Sequence, residues 1–132
     1  LPANKRMDKK EFLKKIKEIA RQDTSFDPEK WTSENPLWGH CAVVSLLAQE
    51  IFGGELKKGS LKNYQKYSYL KSHIWNQINN EEIDFTKEQY TDLLYKNLEG
   101  ILCTRDSILN HPDTIRRFDL LKNRLQEINT PI

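Results

Sequence analysis

The stretch from Cys41 to Phe52 constrains this chain most: Ala42, Val43, Val44, Leu46, Leu47, Ala48, Ile51 and Phe52 are apolar nearly all round a helix, and Gly53-Gly54 ends it. A helix without a polar face has to be covered on all sides, so the pattern predicts a central, buried helix. Cys41 falls in its first turn. Backbone N–H groups there lack intrahelical partners, and the positive end of the helix dipole favours a thiolate. The loop before it, Thr32 to Gly39, holds the turn signal Asn35-Pro36 and closes on a glycine that frees the backbone ahead of the helix.

The remaining elements are read outward from that helix. Asp8 and Glu11 are spaced as a capping box for a first helix whose inner face is Phe12, Leu13, Ile16, Ile19 and Ala20. Asp27-Pro28 reads as the start of a short helical turn before Trp31. An edge strand is expected near Glu55 to Lys58. The aromatic and β-branched stretch Tyr67 to Ile78 follows, then the tight turn Asn79-Asn80 and a returning strand from Glu82 to Thr86. A two-residue turn pairs Ile78 with Glu81, sets Trp75 opposite Asp84 and makes His73 a diagonal neighbour of Asp84 on one face. The other face then collects Leu70, Ile74, Ile78, Ile83 and Phe85, whereas a three-residue loop would put Asp84 among them. Thr86 and Gln89 suggest a second capping box for a helix from Lys87 to Leu98, ended by Gly100. A last helix starts near Asn110, with Ile115, Phe118, Leu121, Leu125 and Ile128 at helical spacing.

The sum is an α+β chain: a buried central helix carrying a cysteine at its N-terminus, packed on a small antiparallel sheet and flanked by N- and C-terminal helices. Its 132 residues suit one domain over 7–132, with residues 1–6 as a tail or expression remnant. Lys plus Arg number 21 against 19 Asp plus Glu, a net charge of +2, so no long-range field favours nucleic acid or an anionic membrane as partner. The basic cluster of the first helix reads as a solvated face. No apolar run approaches the ~20 residues needed to cross a bilayer. Two cysteines are too few for a disulfide framework, which points to reduced thiols and a cytoplasmic chain, with a Cys41–Cys103 bridge as the alternative. Cys103 by itself reads as inert core, and His111 as a helix N-terminal residue. His40, Cys41, His73, Asp84, Cys103 and His111 are metal-ligand types, but without CxxC, HExxH or any paired spacing, so no metal and no cofactor is expected, with zinc as the minor alternative.

Nucleophilic thiol chemistry needs a thiolate, an imidazole to activate it and an acceptor that fixes the imidazole tautomer. Cys41, His73 and Asp84 supply these roles, as nucleophile, base and orienter. Trp38, three residues ahead of Cys41, and Trp75 are candidates for the walls of a cleft, although Trp31 and Trp75 also suit core packing. Arg105 and Arg117 either hold an anionic substrate group or tie the C-terminal helices to the body.

The combination of Trp31, Asn35-Pro36, Gly39-His40-Cys41-Ala42, Phe52-Gly53-Gly54-Glu55, Ser72-His73-Ile74-Trp75-Asn76 and Ile83-Asp84-Phe85-Thr86 with Gln89 resembles the YunG-like family, small proteins with a papain-like cysteine-hydrolase fold. Arg105, Leu109, Asp113-Thr114 and Arg117 with Leu120-Leu121 resemble that family's C-terminal pattern. The resemblance implies a thiol-dependent hydrolase or acyl transferase acting on a small amide, ester or peptide-like substrate. A non-catalytic binding module that keeps the fold is the alternative. Where the family pattern implies glutamine before the cysteine, this chain has His40. The oxyanion-stabilising group therefore stays open between the side chains of Asn35 and His40, beside the backbone N–H of Cys41.

Overall fold

The computed structural model describes residues 7–90 and 98–129; the expected tail, 1–6, lies outside the described residues. Within them the chain is α+β, with four α-helices and one four-stranded antiparallel sheet. No helix among the described residues is long and apolar enough to cross a membrane.

Helix α1 (Lys9–Ile19) starts where the capping pattern put it: the Asp8 side chain accepts from the Glu11 N–H at 2.8 Å, and Phe12, Ile16 and Ile19 are buried. Helix α2 (Cys41–Phe52) buries Val43 through Ala48 without a break. It stops at Gly53 and Gly54, both with positive φ, 77° and 81°. A helix that ends in two left-handed residues reverses sharply, and the chain turns straight into strand β1 (Glu55–Ser60).

Strands β2 (Ser72–Ile78) and β3 (Glu81–Ile83) form the expected hairpin. Asn79 and Asn80 take φ of 53° and 66°, the left-handed pair a type I′ turn requires, and the register pairs Ile78 with Glu81 and Asn76 with Ile83. Strand β3 is shorter than expected because Asp84 leaves the ladder, accepting the Thr86 N–H on Oδ1 at 3.1 Å and bending the chain. Strand β4 (Ile101–Cys103), which the pattern did not predict, pairs with β1 from the far side, giving the order β3-β2-β1-β4. The strand expected at the sheet edge is therefore interior, since its second partner is distant in sequence and leaves no local trace. The short helix α3 (Arg105–Ile108), capped by Thr104, follows directly.

The helix expected from Lys87 to Leu98 does not start as such. Lys87–Gln89 is a single 3₁₀ turn and Tyr90 is extended; residues 91–97 lie outside the described residues. Helix α4 (Pro112–Asn129) buries Phe118, Leu121 and Leu125 as expected but leaves Ile115 and Ile128 exposed, their place on the inner face taken by Thr114 and Arg117.

Two apolar clusters result. The larger surrounds α2, which lies on β2 and against α4, and takes Phe12 and Ile16 from α1, Ile74, Ile78 and Phe85 from the hairpin, and Leu121 and Leu125 from α4. The smaller is largely aromatic: Trp38, Leu61, Tyr67, Leu70 and Tyr90. Leu70, expected in the main core, belongs to this second cluster because a 3₁₀ turn at Ser68–Leu70 separates it from β2. A polar link sets α2 against the sheet: Ser45 Oγ donates to the Ile74 carbonyl at 3.2 Å, and Asn76 Nδ2 donates to the Ser45 carbonyl at 3.0 Å. Each such buried bond is worth about 1 kcal/mol net, but leaving its partner unpaired costs more, so the pair fixes where α2 sits along β2.

Candidate functional site

The first turn of α2 meets the beginning of β2, and the link through Ser45 and Asn76 holds the two in place. Gly39 delivers the chain to Cys41 with φ of 76°. Its carbonyl accepts the Phe26 N–H at 2.8 Å, and a Cβ at this residue would collide with the Ser25 hydroxyl and the Phe26 backbone nitrogen. A glycine is therefore demanded twice here, by backbone conformation and by close approach.

His73, fully buried, has both ring nitrogens engaged. Nε2 lies 2.6 Å from Asp84 Oδ2, and the Tyr90 hydroxyl lies 3.0 Å from Nδ1. The Cys41 side chain also hydrogen-bonds the ring. With Nε2 held by Asp84, the nitrogen facing Cys41 is Nδ1. Burial works against a charged ring, yet the hydrogen bonds to Asp84 and Cys41 outweigh it and push the His73 pKa up to about 9. The ring is thus an imidazolium at neutral pH, next to a thiol at a helix start. Trp75 stacks on it, ring centroids 5.7 Å apart, and anchors its own indole N–H on Glu82 at 2.9 Å.

His73 and Asp84 meet as expected, but the predicted Trp75–Asp84 pair does not form: the hairpin brings Asp84 near, and its departure from the ladder completes the contact. Cys41 arrives from the opposite side, on α2. The ladder ends one pair short of Trp75 and Asp84, which frees the carboxylate to rotate toward the imidazole.

Both expected oxyanion donors are already hydrogen-bonded, His40 through both ring nitrogens and Asn35 through one of its two amide hydrogens. His40 is fully buried, with Nδ1 donating to the Trp38 carbonyl at 2.9 Å and Nε2 facing the Thr24 hydroxyl at 2.7 Å. Burial pushes its pKa down to about 4, so it is a neutral strut of the loop. Asn35 Nδ2 donates to the Gln89 carbonyl at 3.0 Å, and Gln89 Oε1 accepts the Gly39 N–H at 3.1 Å. These bonds stitch the cysteine loop to the segment after Asp84 and so fix the distance between Cys41 and Asp84. Trp38 and Trp75 do not form the cleft wall: Trp38 packs edge-on against Tyr90 in the second cluster, with its indole N–H on Asp27 at 3.1 Å, and Trp75 lies behind His73.

Tyr90 is the residue that the sequence reading missed. Burial, then the nearby Cys41 and Asp84, push its hydroxyl far above the ordinary phenol range, so it stays a hydrogen-bond donor beside the thiol. Among the described residues no side chain caps α2, which leaves the N–H groups of its first turn open on the same side. Only the proximity of Tyr90 to the Thr86–Gln89 pattern hinted at it.

Cys41, Tyr90, Gln89 and Ser72 line a cleft of about 170 Å³, large enough for a small group and not for a folded chain. Cys41 and Cys103 are both free thiols. Cys103 sits on β4, where burial raises its pKa. Among the described residues no three His, Cys, Asp or Glu side chains gather as metal ligands. Arg105 ties α3 to α2, donating to the Leu46 carbonyl at 3.0 Å and to Glu50 at 2.8 Å.

A family profile described as "YunG protein" matches residues 8–129. A relative from Bacillus subtilis (strain 168), described as "Uncharacterized protein YunG", is 34% identical over 79 residues, which make up 59% of this chain and 63% of that protein. The matched stretch thus spans less than two thirds of the relative's length. No solved structure matches the chain.

Proposed function

The chain belongs to the YunG family, and from that premise we propose that it is a thiol-dependent hydrolase or acyl transferase with a papain-like arrangement of Cys41, His73 and Asp84. The observation that carries the proposal is the shared imidazole: His73 binds Asp84 through Nε2 at 2.6 Å and turns its other nitrogen to Cys41. A buried ring raised to about 9 carries its proton at neutral pH, the partner that thiolate chemistry calls for.

In this reading the Cys41 thiolate attacks the acyl carbon of a small amide, ester or peptide-like substrate, and the carbonyl electron pair moves onto oxygen. The backbone N–H of Cys41 and the Tyr90 hydroxyl stabilise that oxyanion. The His73 imidazolium gives its Nδ1 proton to the leaving group as the tetrahedral intermediate collapses to a thioester. The ring, now neutral, takes a proton from water or an acceptor nucleophile, which attacks the thioester and releases Cys41. Asp84 keeps the ring turned with Nδ1 toward the sulfur throughout. No cofactor enters this scheme, and two free thiols suit a reducing, cytoplasmic setting.

The test is the iodoacetamide alkylation rate of each cysteine against pH, followed by intact mass and peptide mapping, in wild type and His73→Ala. Cys41 is expected to react faster than Cys103 near neutral pH and to lose that advantage in His73→Ala. A Cys41 that reacts no faster than Cys103 and ignores the loss of His73 would leave the non-catalytic binding module as the surviving reading.

A further inference from the structure

The cleft beside Cys41 contains a cation with an unused donor. Arg117, only 2% exposed, is among the residues lining the cleft. Its Nε donates to Asp113 Oδ2 at 2.8 Å and its Nη2 to Thr114 Oγ1 at 3.2 Å. Nη1 has no hydrogen-bond partner among the described residues. A buried charged donor without a partner is costly and calls for an explanation.

Asp113 does not neutralise the group fully. Its side chain is 62% exposed and is shared with Arg116, whose Nη2 lies 2.9 Å from Oδ1. One solvent-facing carboxylate thus serves two guanidinium groups. Lys58 is a second cation on the cleft lining, and among the described residues no aspartate or glutamate lines it. The ring of Phe26, itself 56% exposed and on the same lining, lies over the Arg117 guanidinium at 5.6 Å. Phe26 is thus an exposed side chain lying against the guanidinium, and its movement is the least costly way to bring a ligand to Nη1.

Resting on the thiol-hydrolase reading, we infer that the substrate carries a carboxylate a short chain away from its scissile carbon, and that this carboxylate binds Arg117 Nη1 once the Phe26 ring moves aside, with Lys58 adding charge. Arginine suits the role because its planar fork stays charged and directs N–H groups at a carboxylate oxygen. The site selects anionic substrates over their neutral amides, a distinction that the Cys41–His73–Asp84 group by itself does not make.

The probe is glutarate, with neutral glutaramide as its control, each tested for protection of Cys41 from iodoacetamide. Glutarate is expected to slow Cys41 alkylation at concentrations where glutaramide has no effect. Arg117→Met should raise the half-protecting concentration at least ~10-fold, the value of one charge-assisted hydrogen bond. Phe26→Ala should lower it by uncovering Nη1. Lys58→Gln, at an exposed residue, should raise it about two- to fivefold; together with Phe26→Ala it decides the matter if Arg117→Met fails to fold. Equal protection by both compounds, no protection by either, or protection indifferent to these substitutions would overturn the carboxylate site. The hydrolase reading fails on a different readout, the dependence of Cys41 alkylation on His73, so the two are separable.

Discussion

Asp84→Asn is the substitution that most directly probes the proposed machinery. Asparagine keeps the shape of aspartate and an oxygen for the Thr86 N–H, now held at 3.1 Å, so the turn after β3 should survive. The atom that faces His73 Nε2, however, changes from an oxygen that accepts to an amide NH₂ that donates. Nε2 must then act as acceptor, and the proton of the neutral ring moves to Nδ1, the nitrogen turned toward Cys41 and Tyr90. A ring protonated there cannot take the thiol proton. The rise of His73 to about 9 from 6.5 corresponds to ~3 kcal/mol in favour of the imidazolium, held against burial by Asp84 and Cys41. With the carboxylate gone, one of the two supports opposes an unchanged burial cost. The ring should then titrate at least one pH unit lower, ~1.4 kcal/mol. Turnover of any acyl substrate should fall by ~100-fold or more, the share general acid–base catalysis commonly supplies. Ring titration by NMR and Cys41 alkylation against pH measure both effects. An unchanged His73 titration together with unchanged alkylation at neutral pH would refute the argument and reduce the pair to a structural contact.

Three further outcomes follow from the same geometry. His40 is held neutral down to about 4, whereas an unfolded histidine takes up its proton near 6.5, so its contribution is complete above 6.5 and is lost as pH falls through 4, ~3 kcal/mol in all. His73 acts oppositely: its contribution is complete below 6.5 and is lost as pH rises through about 9. Urea midpoints from pH 4 to 9 should therefore fall at both ends, with the acid slope reduced in His40→Gln; an acid slope identical to wild type would contradict the assignment. Gly39→Ala, which forces a Cβ into Ser25 and the Phe26 backbone at a positive φ, should cost at least ~2 kcal/mol in urea unfolding and slow Cys41 alkylation as the loop shifts. Leu46→Ala, at a fully buried residue of α2, should cost about 2–5 kcal/mol by the same assay, and a cost below 1 kcal/mol would mean that α2 is not the centre of the core.

Local chemistry accounts for what was legible in advance. The apolar run of α2 and its double glycine stop specify a buried helix with Cys41 at its start, whatever surrounds it. Asn79-Asn80 is a turn of nearly unique geometry, and a two-residue turn dictates the register that puts His73 beside Asp84. Both inferences need only residues adjacent in sequence and the alternation of a strand. The α+β class followed from the same signals, and so did the cap at Asp8.

What depended on distant partners was not legible. Strand β1 looked like an edge because β4, its outer partner, is three residues long and far along the chain. Asn35 and His40 carry the right functional groups for an oxyanion donor, but only the packing shows that Gln89 takes one of the Asn35 amide hydrogens and Trp38 the His40 ring N–H. Tyr90 is an ordinary aromatic residue until the fold sets its hydroxyl against His73, and Arg117 an ordinary helix arginine until one of its nitrogens is buried beside the cleft without a partner among the described residues. The sequence by itself determined the helix that presents the thiol and the hairpin that pairs imidazole with carboxylate, because turn chemistry and side-chain periodicity act over a few residues. The tertiary structure alone decided which polar groups still have a hydrogen bond to give, because that depends on every neighbour that long-range packing brings within 3 Å or so.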